Sequence, residues 1–207
     1  MDDWSLIGVR FALYLTLAAL FGLSAFSLYG LRTCERGDAL ALRPWLVGSA
    51  GLSLLLSTTW VVLMASSMAG TPTWPIDREA VGALLTGSAI GAAWKLRMIM
   101  LIVAALAALI AGARGIWLSA VALCSAVALA TLAWTGHGAM DEAAMGWIHL
   151  IADILHLIAS SAWVGALLGL ILLVSRSATR VDTAHLRLTY RALHGFGAIG
   201  TLVVGTI

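Results

Sequence analysis

Charge is scarce in this chain. Only 11% of its 207 residues are Asp, Glu, Lys or Arg, against about 25% in an ordinary soluble domain. The formal net charge is just +2, and no nucleic-acid partner is expected. Cysteine is nearly absent as well. Cys34 and Cys124 stand in different segments and suggest neither a disulfide framework nor a thiolate metal site. There is no nucleotide-binding P-loop, no phosphorylated-Asp signature and no Cys-x-x-Cys, which argues against an ATP-driven pump. Nothing indicates an enzyme. The apolar runs are continuous rather than alternating, which argues against a strand-built barrel.

What remains is 61% hydrophobic, with a mean hydropathy of +1.00. Long stretches of low charge are the mark of helices that cross a bilayer. The reading is an all-α integral membrane protein, a multi-span helical bundle forming one domain over 1–207. Spans are expected at 5–31, 45–69, about 80–112, 116–135 and 148–174, with a sixth beginning near 192. That makes about six. The acidic start Met1-Asp2-Asp3 lacks the basic region of a removable signal peptide, so the first run reads as a retained span. The last run stops at Ile207 after about 16 residues, short of the ~20 that cross a bilayer. The expectation is a fragment, or a final helix that ends early.

The connections set an orientation. Segment 32–44 carries Arg32, Arg36 and Arg43, the turn near 112–115 carries Arg114, and 175–191 carries Arg176, Arg180, Arg187 and Arg191. The alternate connections are poor in cations: 70–79 has only Arg78 and 136–147 has none. The positive-inside rule then puts the arginine-rich loops in the cytoplasm and the N-terminus outside. The host that fits is a bacterial inner membrane. Trp4, Trp45, Trp74 and Trp147 fall near expected span ends, as interfacial tryptophans do. Lys95 and Arg97 interrupt the third apolar run. Either an interfacial helix covers about 80–94 ahead of the span, or one long helix carries both charges, and snorkelling to the surface is the simplest account. Gly87 and Gly91 have the small-xxx-small spacing of close helix contacts.

The chemistry concentrates in the fifth run, where His149, Asp153 and His156 interrupt a stretch of membrane character. At about 100° per residue they fall at roughly 0°, 40° and 340°, one narrow face of a helix. Ionisable groups inside a span are costly and mark functional sites. Two imidazoles and a carboxylate suggest a metal site or a proton path. His149 and His156 lie about 10 Å apart along the axis, too far for one ion to be held by both without help. They read as two successive stations. His149 would bind with loop residues such as His137, and His156 would form a deeper site with other helices. Asp153, one turn from each, ligates either ion or orients a histidine ring. Met140 and Met145 flank Asp141-Glu142 in the preceding loop and are accessory candidates, since thioethers suit Cu(I) and imidazole suits Cu(II). Trp163 continues the stripe at about 320° and would close its floor.

Several stretches resemble the CopD family of copper-resistance membrane proteins. The opening Arg10–Arg32 is similar to that family's first span. Thr86, Gly91, Trp94 and Arg97 resemble the segment ahead of its third or fourth membrane helix. Most specific is TGHGAM followed by HLIADILHLIASSAWVGAL, from Thr135 to Leu167. This matches a His after Thr-Gly, then a spaced His, Asp and His, then Trp-x-Gly. Ala166 stands where the family has a second glycine, and family members usually continue for several more helices. The resemblance implies copper handling at the inner membrane, beside a periplasmic copper-binding partner, CopC.

Three functions therefore compete. The first is transport or handling of copper across the inner membrane, through a periplasm-facing site of His137, His149, Asp153 and His156. The second is a haem-bearing electron-transfer protein, which needs two facing imidazoles at similar depth. The third is a proton-coupled membrane subunit with Asp153 titrating.

Overall fold

The structure, a computed structural model, describes residues 3–33, 35, 36, 40–110, 115–135, 143–175 and 182–205. Among these residues there are seven α-helices, one 3-10 turn and no strand. The helices are α1 (Asp3–Gly30), α2 (Leu42–Ala69), α3 (Arg78–Gly87), α4 (Ala89–Ile110), α5 (Gly115–Ala130), α6 (Ala143–Val174) and α7 (Thr183–Val204). The 3-10 turn Thr131–Thr135 prolongs α5. Five helical stretches are long and apolar enough to cross a bilayer: Trp4–Gly30, Leu42–Ala69, Ala89–Ile110, Gly115–Thr135 and Met145–Val174. The chain is an all-α, multi-span membrane protein. The run expected to begin a sixth span near 192 lies inside α7. That helix starts at Thr183, and His185, Arg187 and Arg191 make its first half too polar to count as a span.

α1 is the hub, packed against α6, α2 and α5, with a smaller contact to α7. Its inward stripe is fully buried, with Leu13, Leu17, Leu20, Leu23 and Phe26 at 0% exposure. Large apolar side chains such as Phe11, Leu55, Ile102 and Ile171 point outward instead. That pattern suits lipid, where burying an aliphatic side chain between helices gains little and close packing holds the bundle. Three of the fully buried hydroxyls are satisfied within their own helices. Ser24 donates to the Leu20 carbonyl (2.9 Å), Ser27 to Leu23 (2.7 Å) and Ser125 to Val121 (2.6 Å).

The tightest approach joins α1 to α6 through glycine. A Cβ on Gly22 would collide with Gly165 Cα and the Ser161 carbonyl, and one on Gly165 would collide with the Gly22 backbone. Four residues on, a Cβ on Gly169 would run into the Phe26 ring. Gly22 with Gly165, then Phe26 with Gly169, fixes the two helices as parallel with a constant offset of 143 residue numbers. That register sets the depth of everything on α6.

The third apolar run is broken in two. The Asp77 carboxylate caps α3 by accepting from the Ala80 N–H (3.0 Å). Ser88, in extended conformation, ends α3 and starts α4. Its Oγ donates to the Leu84 carbonyl (2.7 Å) and accepts from the Gly91 N–H (3.0 Å). A Cβ on Gly91 would strike the Leu84 carbonyl and the Leu85 backbone, so glycine is what lets the corner fold back, while Gly87 has nothing within 4 Å.

At the other end of the bundle Arg36 closes the C-terminus of α1. Its Nε donates to the Ser27 carbonyl (2.9 Å) and its Nη2 to Leu28 (2.8 Å), groups that helix geometry leaves without intrahelical partners. Beside it, Arg191 Nη2 of α7 pairs with Glu35 Oε1 at 2.7 Å. Burial pushes the Glu35 carboxyl up. The hydrogen bonds from Arg191 and the Arg32 N–H, with the two arginine charges, outweigh that and hold it below its ordinary 4.5.

Two outcomes follow from this packing. Gly165→Leu should lower stability by at least about 1–3 kcal/mol through overpacking, whereas Gly48→Ala, with nothing within 4 Å, should be neutral or better. Thermal unfolding in one detergent compares them. The Glu35–Arg191 pair is partly exposed and contributes only about 0–1 kcal/mol. Because the folded carboxyl is depressed, that contribution is whole above pH 4.5 and is lost as pH falls through the lower folded value. Hydrogen exchange in α7 should rise over that acid window in the wild type and be flat in Glu35→Gln.

Candidate metal-handling face and buried guanidinium

α6 turns two different sides to its surroundings. Ser161, Gly165, Ala166, Gly169 and Leu173 are buried, on the side shaped by α1. His149, Asp153 and His156 are all exposed, as are Trp147, Ile151, Leu155 and Trp163. The trio shares one face, one helical turn between neighbours, and that face points out of the bundle rather than into it. Trp163, at 43% exposure, lies on the outward side further along. Asp153 is the single Asp or Glu within the five apolar spans. It lies about 12 Å along the axis from Met145, where the span begins. The α1–α6 offset puts it level with Arg10.

Among the described residues no group of three or more His, Cys, Asp or Glu side chains comes together to hold a metal ion. Among the described residues the trio forms a row along the helix. His137 and Met140 lie outside the described residues. Met145 is exposed at the start of α6, one turn before His149. His185 and His194 lie at the opposite end: His185 Nε2 is 3.1 Å from the Leu173 carbonyl, and the His194 ring stacks on Tyr190 at 5.7 Å.

A second charged centre is the reverse of the first. Arg97 on α4 is 1% exposed, while Lys95 two residues before it is exposed. Snorkelling thus fails as the account of Arg97. The reason is a set of partners that the sequence spacing does not reveal. Its Nε donates to Thr131 Oγ1 (2.8 Å) and its Nη2 to the Thr131 carbonyl (3.2 Å). Its Cζ lies 5.6 Å from the centre of the Trp60 ring, a cation–π contact. The 3-10 turn that ends α5 carries both Thr131 acceptors to this spot. Nearby, Trp94 Nε1 donates to the Ser57 carbonyl (2.9 Å), and Arg10 Nη2 reaches the Thr135 carbonyl at 3.5 Å.

The family model described as "Copper resistance protein D-like, N-terminal domain" matches residues 1–147. The chain belongs to the copper resistance protein D-like family. The protein named "Copper resistance protein D" of Pseudomonas syringae pv. tomato is 42% identical over 211 residues, an alignment that takes in 100% of this chain and 67% of that protein. No solved structure matches. The matched domain contains the Arg97 centre and ends just before His149, so the outward trio is covered by the relative rather than by the domain model.

The Arg97 centre yields a direct test of packing. Thr131→Val keeps the branched shape and removes the acceptor of Arg97 Nε. It should cost about 1.5–3 kcal/mol, the range for a hydrogen bond to a charged group. Thermal unfolding beside Thr59→Val, an exposed threonine bonded only within its own helix, separates that loss from a general effect of valine.

Proposed function

We propose that the protein handles copper at a bacterial inner membrane, contributing to copper resistance or uptake by moving the ion between the periplasm and the bundle. His137, His149, Asp153 and His156 are its ligands, with Met140, Met145 and Trp163 in accessory roles. The observation that carries this reading is the row of His149, Asp153 and His156 along one outward face of a membrane helix, in a chain whose relative is named for copper resistance. Copper is cargo in this scheme. Imidazoles accept it as Cu(II), and thioethers favour Cu(I).

The spacing supports a relay. His149 and His156 are about 10 Å apart along the axis, with Asp153 about 6 Å from one and about 4.5 Å from the other. An ion held at His149 with groups of the preceding loop moves one turn to Asp153 and a further turn to His156. The carboxylate lowers the cost of a cation at that depth, and a metal in turn offsets the cost of a carboxylate inside a span. Because the row faces out of the described bundle, its remaining ligands come from outside these five spans. A periplasmic copper-binding protein of the CopC type is the donor or acceptor that suits an outer entrance.

Metal analysis of the purified wild type beside His149→Ala, Asp153→Ala and His156→Ala tests the proposal, with an absorption spectrum on each. Copper content should fall in all three, most for Asp153→Ala, the shared station. Unchanged copper across the three variants would sink the site, and a Soret band would replace it with a haem protein.

A further inference from the structure

The outward face of α6 carries more than its three ionisable groups. His149, Asp153, His156, Ser160, Trp163 and Leu167 follow one another at alternating intervals of four and three residues. That is the 3.5-residue spacing of a seam between two helices. At about 100° per residue all six fall within about 40° of His149. Ser161, Gly165 and Gly169, which meet α1, fall at roughly 120°, 160° and 200°. The seam therefore lies opposite the contact with α1. Ser160 is half-buried and the other five seam residues are exposed.

Length, polarity and orientation select what lies against it. From His149 to Leu167 the seam runs about 27 Å along the axis, close to the ~30 Å hydrocarbon thickness of a bilayer. A soluble protein at the membrane surface meets only its first turns, so the occupant is a membrane helix. Polar residues at seam positions fix register and partner between helices. Two copies of one chain enter the membrane with the same orientation and depth. A two-fold axis along the bilayer normal then sets each seam residue against its own counterpart. Asp153 and His156 lie one turn apart on each copy. Facing each other, the copies supply two carboxylates and two imidazoles, a four-ligand set that suits Cu(II). One helix alone offers an ion donors from one side only.

We infer that the α6 seam pairs two copies of the chain, and that one copper ion lies between them on Asp153 and His156 of both. The inference rests on the copper reading and adds the second copy to it. It also carries a sign of its own. Without an ion the two Asp153 carboxylates repel each other, so copper binding and pairing strengthen each other reciprocally.

Native mass spectrometry of the full chain, released from detergent micelles, counts chains and copper together. The copper-loaded wild type should appear as a dimer with one ion per two chains. Chelation should raise the dimer dissociation constant about tenfold, in the usual range for coupled equilibria. Asp153→Asn should lose the ion yet stay paired and indifferent to chelator, because the like charges are gone. Ser160→Trp removes no ligand but holds the seams apart, and should give monomers without the ion. Leu55→Trp, on the exposed side of α2, should match the wild type. Copper held by monomers at every protein concentration would overturn the pairing and leave the copper reading standing. A wild type that binds no copper would overturn the copper reading and this inference with it. Dimers that survive Ser160→Trp, or that Leu55→Trp breaks equally, would rule out the seam.

Discussion

The approach of α1 to α6 through Gly22 and Gly165 is the constraint on which the rest of the bundle depends. Lipid supplies little reason for aliphatic helices to prefer each other over acyl chains, so contact distance does the selecting. Two glycines at one crossing let backbone meet backbone, and Gly169 receives the Phe26 ring one turn later. This locks the register of first and fifth spans. Once it is locked, the buried side of α6 is spent on α1, and the side carrying His149, Asp153 and His156 has only one direction left to face.

The bundle thereby separates its two costly charges. The carboxylate Asp153 is presented outward on α6, and the guanidinium of Arg97 is enclosed between α2, α4 and the end of α5. Among the described residues the two helices make no contact, so the carboxylate and the guanidinium do not pair with each other. The interior one is built from few parts: one threonine offering a hydroxyl and a carbonyl, and one indole face.

The membrane class was legible from composition, because charge scarcity and continuous apolar runs have no other reading at this length. The common face of His149, Asp153 and His156 was legible too, because helical periodicity converts spacing into direction without knowledge of neighbours. Which way that face points was not, since direction relative to a partner helix is decided by packing. The glycines that decide it, Gly22, Gly165 and Gly169, are spread over two helices far apart in sequence, and the pair singled out by spacing, Gly87 and Gly91, contributes only Gly91 to a corner. Arg97 was legible as an anomaly and misread as a surface charge. Its acceptors sit on Thr131, 34 residues away, and a 3-10 turn puts them there. α7 shows the other limit. Its apolar second half reads as the start of a span, and the helix in fact extends back through a polar first half to Thr183.

Arg36 gives the far end of α1 a character of its own. Helix C-termini collect bare carbonyl oxygens and about half a negative charge, and a cation is stabilised there. Here the guanidinium of Arg36 already occupies the Ser27, Leu28 and Leu31 oxygens. The loop that follows α1 thus folds back and closes the helix it has just left, so that this terminus carries its own counter-charge and those three oxygens are already engaged.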